Sequence, residues 1–270
     1  MATNENLRQA QLVMLEILKK VDSICKKHNL RYFIDWGTLL GAIRHKGFIP
    51  WDDDLDISMP REDYEKFLEI AQDELGNDYF LQTPDTDKYY NFYHVPTKIR
   101  DMNSRFLEIT ESGDEKYNQG IYIDVFPLDR APDSNIIYKL QDIYSFILER
   151  CLILEMSYKE FSIQRKIFYP IVYFIVKVLG DKGRAKLERF LRNFGKHSNG
   201  DWRVGIEVSF RKRYKDEWIF PLREIEFEGV NVMAPNNPDA ILKKYYNNYM
   251  ELPKEEDRFS HSKLIEVNIK

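Results

Sequence analysis

The chain has 270 residues, 43% hydrophobic and 31% charged, with a formal net charge of −4. That balance excludes a disordered chain, and it excludes a general nucleic-acid binder, which needs an excess of cations to displace phosphate counterions. Two cysteines, Cys25 and Cys151, stand far apart without a C-x-x-C partner. Neither a zinc motif nor a disulfide framework is therefore expected, and a reduced, cytoplasmic compartment fits.

The first ten residues are polar and lead into no apolar run, so no signal peptide is expected. Ala10, Met14, Ile17, Val21 and Ile24 recur at helical spacing and predict an amphipathic helix over residues 5–29. Arg31 to Asp35 is β-prone and predicts a short strand bounded by Gly37. Thr38 is placed to cap a helix from Leu39 to His45. Asp54 to Met59 alternates polar and apolar residues, which is a strand pattern. Pro60 then sits where a first helical residue would, with Glu62 and Asp63 in the first turn of a helix ending at Leu75 before Gly76.

Further strands are expected at His94 to Arg100, Arg105 to Ile109 and Ile121 to Phe126, the last closed by Pro127. Ser134 to His197 reads as helical, with breaks near Tyr158 and Gly180. Within it, Phe168 to Leu179 is the most apolar window. It is too short to span a membrane and carries Lys177, so a buried helix and an interfacial segment both stay open. Arg203 to Ser209 reads as β, Glu224 to Phe227 and Val230 to Met233 as a hairpin turned at Gly229, and Asp239 to Tyr249 as a last helix. The organisation expected is α/β: a core over 1–133, a mostly helical insertion over 134–200, and a C-terminal part over 201–270 that completes the core and carries the acceptor side.

Three motifs carry chemistry. Trp51-Asp52-Asp53-Asp54-Leu55-Asp56-Ile57 places four carboxylates within five residues. Side chains two apart on a strand share a face, so Asp54 and Asp56 point one way and Leu55 and Ile57 the other. Oxygen-only ligands above an apolar face suit Mg²⁺ or Mn²⁺. A solvated acidic loop is the alternative. A calcium-binding EF-hand is excluded, because Ile57 and Asp63 stand where Gly and Glu are required. Asp52, at the loop edge, is expected to meet solvent. Asp35-Trp36-Gly37-Thr38 ends a strand and opens a helix, where free N–H groups favour a phosphate; an ordinary cap is the alternative. Ile121-Tyr122-Ile123-Asp124-Val125-Phe126 sets one carboxylate in an apolar strand. Asp124 there is either a structural group or the third ligand of a metal site. Arg44, Lys98 and Arg100 are candidate phosphate cations, with a plain surface face as the alternative.

A Gly-Thr turn, Asp-x-Asp on the next strand and one Asp on a later strand together resemble the polymerase-β-like nucleotidyltransferase superfamily. Gly37 to Arg44, Gly47 to Ile57, Ile123 to Asp129, Phe227-Glu228-Gly229, Ala234-Pro235 and Tyr249 to Pro253 resemble, more narrowly, the LicD family of phosphocholine transferases. Asn247-Asn248 and Lys254 depart from that family's usual pattern, and Ser134 to Gly200 does not match it.

The resemblance implies a nucleotidyltransferase-fold mixed sheet flanked by helices, and transfer of phosphocholine from CDP-choline to a sugar hydroxyl of a lipid-linked glycan precursor of teichoic acid type. Asp54, Asp56 and Asp124 would hold two Mg²⁺ or Mn²⁺ ions. Gly37 and Thr38 would seat the diphosphate, and Asp53 or Asp124 would take the acceptor proton. A cytoplasmic enzyme working at the inner membrane face follows, with Phe168 to Leu179 and the basic run Arg211 to Lys215 as peripheral contacts. Transfer of another phospho-alcohol, a sugar phosphate or a nucleotidyl group on the same fold is the main alternative; a non-catalytic binding protein is a second. Choline also calls for aromatic faces, and Trp36, Trp51, Tyr89, Tyr90, Tyr93, Trp202, Trp218, Tyr245 and Tyr246 are the available rings.

Overall fold

The computed structural model describes residues 4–90, 95, 97–143, 200–205, 213–258 and 260–268, with single positions between 174 and 190. The chain divides into two compact units, Met1–Pro127 with Glu217–Lys270, and Leu128–Asp216.

In the first unit, helix α1 (Asn4–His28) buries the expected stripe of Ala10, Met14, Ile17, Val21 and Ile24. It ends where Asn29 turns left-handed (φ 53°) and the Leu30 N–H donates to the Cys25 carbonyl at 2.8 Å. Strand β1 (Phe33–Ile34) is shorter than expected at both ends: Arg31 and Tyr32 precede it, and Asp35 leaves it to cap helix α2 (Trp36–His45). Asp35 Oδ1 accepts the Trp36 N–H at 2.9 Å, so the cap is Asp35 and not Thr38. A carboxylate at a helix start answers both an orphan N–H and the positive end of the dipole. Thr38 lies buried inside α2, and its hydroxyl oxygen instead accepts the Asp56 N–H at 2.8 Å.

Strand β2 (Asp56–Pro60) begins two residues after the expected start, with Asp54 just ahead of it. Pro60 ends the strand in extended backbone and serves as the residue before helix α3 (Arg61–Leu75), which starts one residue later than expected. Helix α3 stops at Gly76, whose φ of 72° suits a residue without Cβ. Strands β3 (Tyr79–Gln82), β4 (Lys98–Asp101), β5 (Ser104–Glu108) and β6 (Tyr122–Arg130) follow. The sheet order is β1-β2-β6-β4-β3, which makes β6 central. β4 and β6 are antiparallel with Lys98 opposite Asp124 and Arg100 opposite Tyr122. That register, more than any sequence spacing, brings the cations to the carboxylate. His94, the expected start of β4, lies outside the described residues.

β6 does not close at Pro127. It runs on, and its last residues Asp129 and Arg130 pair with β7 (Trp202–Val204) in the second unit. Pro127 falls at the change of partner, where a missing N–H removes nothing from the ladder. In that unit β7 also pairs with β8 (Tyr214–Lys215), residues 135–143 are helical, and Arg213 stacks on Tyr138 and Trp202 at 4.0 and 4.9 Å. Most of the expected helical stretch, including most of Phe168 to Leu179, lies outside the described residues, as do 206–209. Phe174 and Val178 are described as helical and exposed. Among the described residues no helix is long and apolar enough to cross a membrane.

Back in the first unit, β9 (Arg223–Phe227) and β10 (Val230–Ala234) form the expected hairpin. It is turned by Glu228 (φ 52°) and Gly229 (φ 75°). The Glu228 carboxylate accepts from Arg8 at 3.0 and 2.6 Å and from the Phe48 N–H at 2.9 Å. It thereby pins the loop that leads into the acidic motif. A Cβ at Gly47 would lie 2.2 Å from Glu228 Oε1, so a side chain there would push this carboxylate off its contacts. The last helix is Pro238–Tyr246, capped by the Asn237 side chain, which accepts the Ala240 N–H at 3.1 Å. It stops three residues short of the expected end and packs on α2. Strand β11 (Ser262–Val267), absent from the sequence reading, pairs with β5. The architecture is α/β, as expected.

Candidate active site

The acidic loop enters β2 beside β6, and the Leu55 carbonyl accepts the Asp124 N–H at 2.9 Å. Leu55 and Ile57 are fully buried in the core, which leaves Asp54 and Asp56 toward the opposite side. Their carboxyls interact. Burial, then Asp124 and Asp53, pushes Asp54 up to about 6, while a hydrogen bond from Asp52 and the charge of His261 work against that rise. Burial, followed by Asp54, Asp124, Asp52 and Asp35, holds Asp56 well above the usual carboxylate range. Asp124 is raised by burial, against the opposing charge and hydrogen bond of Lys98. Three carboxyls from two adjacent strands therefore share one low-dielectric region and resist ionising together.

Asp52 meets solvent only in part. It is half-buried, and burial followed by the charge and hydrogen bond of Asp54 lifts its carboxyl well above the usual range. The reason is a tertiary contact: Gln11 Nε2, on α1, donates to the Asp52 and Ile49 carbonyls at 2.9 and 3.2 Å and draws the loop inward. Gly37 lies against the same side chain, since a Cβ on it would stand 3.0 Å from Asp52 Oδ2.

The remaining expected site residues separate. Lys98, Arg100, Asp53, Asp54 and Asp124 line one cleft of ≈ 370 Å³. Lys98 Nζ donates to Asp124 Oδ1 at 2.8 Å, and the ammonium lies 3.3 Å from the Tyr122 ring centroid. Arg100 donates to Gln82 Oε1 at 2.5 Å and to the Gly120 carbonyl at 2.7 Å. Asp53 is buried and accepts Ser260 Oγ at 2.6 Å. Arg44 is not among the cleft residues. Its Nη1 donates to the Tyr249 and Glu251 carbonyls at 2.9 and 3.2 Å and ties the C-terminal segment to α2. Gly37 and Thr38 lie on α2 next to Asp52 and Asp56 respectively.

Sequence reasoning missed several cleft residues. Glu108 accepts Tyr122 Oη at 2.8 Å; burial pushes its carboxyl up, but Lys98, the Tyr122 hydrogen bond, Arg100 and His261 together bring it below the usual value. Phe106, Glu111 and His261 complete the wall. The strand that delivers Ser260 and His261 carries no alternation, only the apolar Leu264, Ile265 and Val267, and it is far in sequence from the acidic loop and Asp124.

The oxygen donors suit a hard divalent cation, and the excess of buried negative charge on the β2 side is what such a cation relieves. Among the described residues no group of three or more His, Cys, Asp or Glu side chains is posed to hold an ion. The Asp52 to Asp54 hydrogen bond and the Lys98 ion pair are the contacts that ligation would rearrange.

Comparison with known proteins places this site in a family. A family model described as LicD/FKTN/FKRP, nucleotidyltransferase domain, matches residues 29–161, which include both the acidic loop and Asp124. The lipopolysaccharide cholinephosphotransferase LicD of Haemophilus influenzae is 32% identical over 267 residues, covering 94% of this chain and 95% of that protein. An uncharacterized Rickettsia prowazekii protein is 34% identical over 122 residues, covering 45% of this chain and 41% of its own length. A Rickettsia typhi protein, also uncharacterized, is 46% identical over 59 residues, 22% of this chain and 19% of its own. With a curated relative matched along nearly its whole length, this chain belongs to the LicD family and is a transferase.

Proposed function

We propose that the enzyme transfers phosphocholine from CDP-choline to a sugar hydroxyl of a lipid-linked cell-surface glycan precursor, releasing CMP. The observation that carries this reading is the mutually repelling set of half-buried Asp54 with buried Asp56 and Asp124, of which Asp54 and Asp124 line a cleft that also presents Lys98 and Arg100. The full-length relative named as a cholinephosphotransferase supplies the phospho-alcohol.

Asp54, Asp56 and Asp124 would hold two Mg²⁺ or Mn²⁺ ions. Such ions, when bound, neutralise the transferred phosphate and clamp the attacking and leaving oxygens. Lys98 orients Asp124 from the side away from β2, and its charge with that of Arg100 offsets phosphate charge in the cleft. Gly37 and Thr38 border the acidic loop where the diphosphate would sit. The acceptor oxygen bonds to the phosphorus that carries choline, and the bond from that phosphorus to the bridging oxygen of the diphosphate breaks. The hydroxyl proton passes to a carboxylate. Asp53 suits this role better than Asp124, because it lines the cleft and stands outside the metal set.

The motif resemblance points to a teichoic acid precursor as acceptor, whereas the full-length relative is named for lipopolysaccharide. Incubation with CDP-choline, Mg²⁺ and each precursor class, read by mass spectrometry, tests the proposal. Addition of one phosphocholine to either glycan supports it and selects the acceptor. Product from CDP-ribitol but not CDP-choline would replace choline by ribitol. Weak contact with the inner membrane face belongs to the same reading, motivated by exposed Phe174 and Val178 and by the basic run Arg211 to Lys215. Flotation with anionic liposomes at low salt checks it, and absence of binding there would end it.

A further inference from the structure

A quaternary ammonium group cannot donate hydrogen bonds, so a protein holds it with ring faces and negative potential. In phosphocholine only two carbons separate that group from the phosphate, so its subsite must border the carboxylate cluster. Most candidate rings fail one of these conditions. Tyr122 lies in the cleft, but Lys98 and Arg100 already stand 3.3 and 4.6 Å from its centroid. Arg258 stands 4.8 Å from the Trp51 ring, and Lys88 stands 4.8 Å from that of Tyr89. Lys244 stands 5.3 Å from the Trp218 ring, and Arg213 stacks on Trp202. A ring whose face already carries a protein cation offers little to a second one.

Trp36 and Tyr246 differ. No cation of the described residues lies over either ring. Trp36 opens α2 next to Gly37, half-buried, with a left-handed φ of 42° and its ring 4.5 Å from Phe126. Positive φ is uncommon for a bulky residue and is tolerated only where the surroundings fix it. Tyr245 lies 6.4 Å from Trp36 and 6.1 Å from Tyr246, linking the two. Tyr246 ends the last helix and is 40% exposed. Its hydroxyl also stands in the field of Asp56, Asp35, Asp52 and Asp54, which add to burial in raising its pKa. That helix packs on α2, where Gly37, the neighbour of Trp36, lies against Asp52 of the acidic loop, and the Arg44 bonds to Tyr249 and Glu251 hold the chain just beyond Tyr246.

We propose that Trp36 and Tyr246, bridged by Tyr245, form the subsite for the quaternary ammonium group of the transferred phospho-alcohol. This rests on the phosphocholine reading and adds to it the residues that select choline. It also gives the C-terminal helix a role in specificity, where the motifs had assigned it only to the acceptor side.

The test compares two donors in the presence of Mg²⁺ by calorimetry and by kcat/KM. One is CDP-choline; the other is the CDP ester of dimethylbutanol, in which carbon replaces the choline nitrogen and only the charge is lost. The full-length protein is expected to prefer CDP-choline by about tenfold, the scale of one cation–π contact in a partly desolvated site. Tyr246→Leu and Trp36→Leu are expected to remove most of that preference while affinity for the uncharged donor changes little. Tyr246→Phe, which keeps the ring, is expected to retain it. Tyr246 is exposed, so its variants keep the test open even if Trp36→Leu fails to fold. An unchanged preference in Tyr246→Leu, or an equal loss for both donors, would overturn the subsite. No binding or turnover of CDP-choline by the unaltered protein would instead overturn the phosphocholine reading, and the subsite with it.

Discussion

Two groups of buried charge meet at β6, and they are built on opposite terms. On the β4 side every cation has a partner. Lys98 pairs with Asp124 at 2.8 Å, Arg100 donates to Gln82 and Gly120, and Glu108 accepts from Tyr122. On the β2 side Asp52, Asp54 and Asp56 mainly face one another; Arg44 opposes the rise of Asp52 by its charge alone, while its Nη1 donates to the Tyr249 and Glu251 carbonyls. A closed network fixes geometry, whereas an open one of a single sign destabilises the fold until a counter-charge arrives. The first group is a frame; the second would be a cation seat on the proposed function, and Asp124 belongs to both.

The largest expected effect breaks the seat. Asp54→Asn, Asp56→Asn and Asp124→Asn should each abolish transfer, a loss of about a thousandfold or more, because the phosphate then loses its charge clamp. Asp52→Asn should cost only about tenfold, since asparagine can still donate to Asp54, as the protonated Asp52 does, but cannot ionise when an ion binds. Transfer rates for the four variants, with circular dichroism as folding control, check the ranking. Full activity in Asp56→Asn would mean that the acidic loop is not the metal seat.

Breaking the frame should instead cost stability. Lys98→Met leaves Asp124 buried without its ion-pair partner, a change expected to lower unfolding free energy by about 3–5 kcal/mol in urea denaturation. A loss under about 1 kcal/mol would show that Asp124 is already neutral when no ion is bound.

The seat should also reveal itself through pH. Carboxyls raised in the folded chain hold protons that the unfolded chain releases near the ordinary value of 3.8, so stability falls as pH rises through that value toward about 6 and beyond. Metal-free protein should therefore lose on the order of 2 kcal/mol from this cluster between about pH 4 and about pH 7. Mg²⁺ should restore most of the loss at the upper end and little at the lower. Melting temperatures across that range, with and without Mg²⁺ and in Asp56→Asn, would show whether the slope belongs to this cluster.

The smallest effect lies outside both groups. Glu228→Gln keeps the Phe48 contact but loses the charge opposite Arg8, which is partly exposed, so a loss of about 1 kcal/mol is expected. Chemical denaturation measures it. A larger fall in activity than in stability would mean that the hairpin also positions the acidic loop.

The parts of this design legible in the sequence were those governed by local rules. The α1 stripe, the stop of α3 at Gly76, the hairpin at Gly229 and the alternation that separates Asp54 and Asp56 from Leu55 and Ile57 all follow from periodicity and backbone freedom. The cap of α2 was misread because Asp35 and Thr38 both suit a helix start, and only tertiary contact sends the Thr38 oxygen to Asp56. Asp52 was misread for a similar reason, since Gln11, on another element, pulls its loop inward. The cleft wall at Glu108 and His261 was invisible because β11 pairs with β5 across more than half the chain.

The most direct test of the cation seat is Mn²⁺ binding, followed by the loss of the free-ion signal in electron paramagnetic resonance as protein is added. The unaltered protein should take up about two ions, with binding weakening as pH falls through about 6 and protons compete for Asp54. Asp56→Asn and Asp124→Asn should bind at least about tenfold more weakly, as removal of one charged ligand requires. Equal Mn²⁺ binding in all three proteins, or none in the unaltered one when CDP-choline is present, would contradict the cation seat.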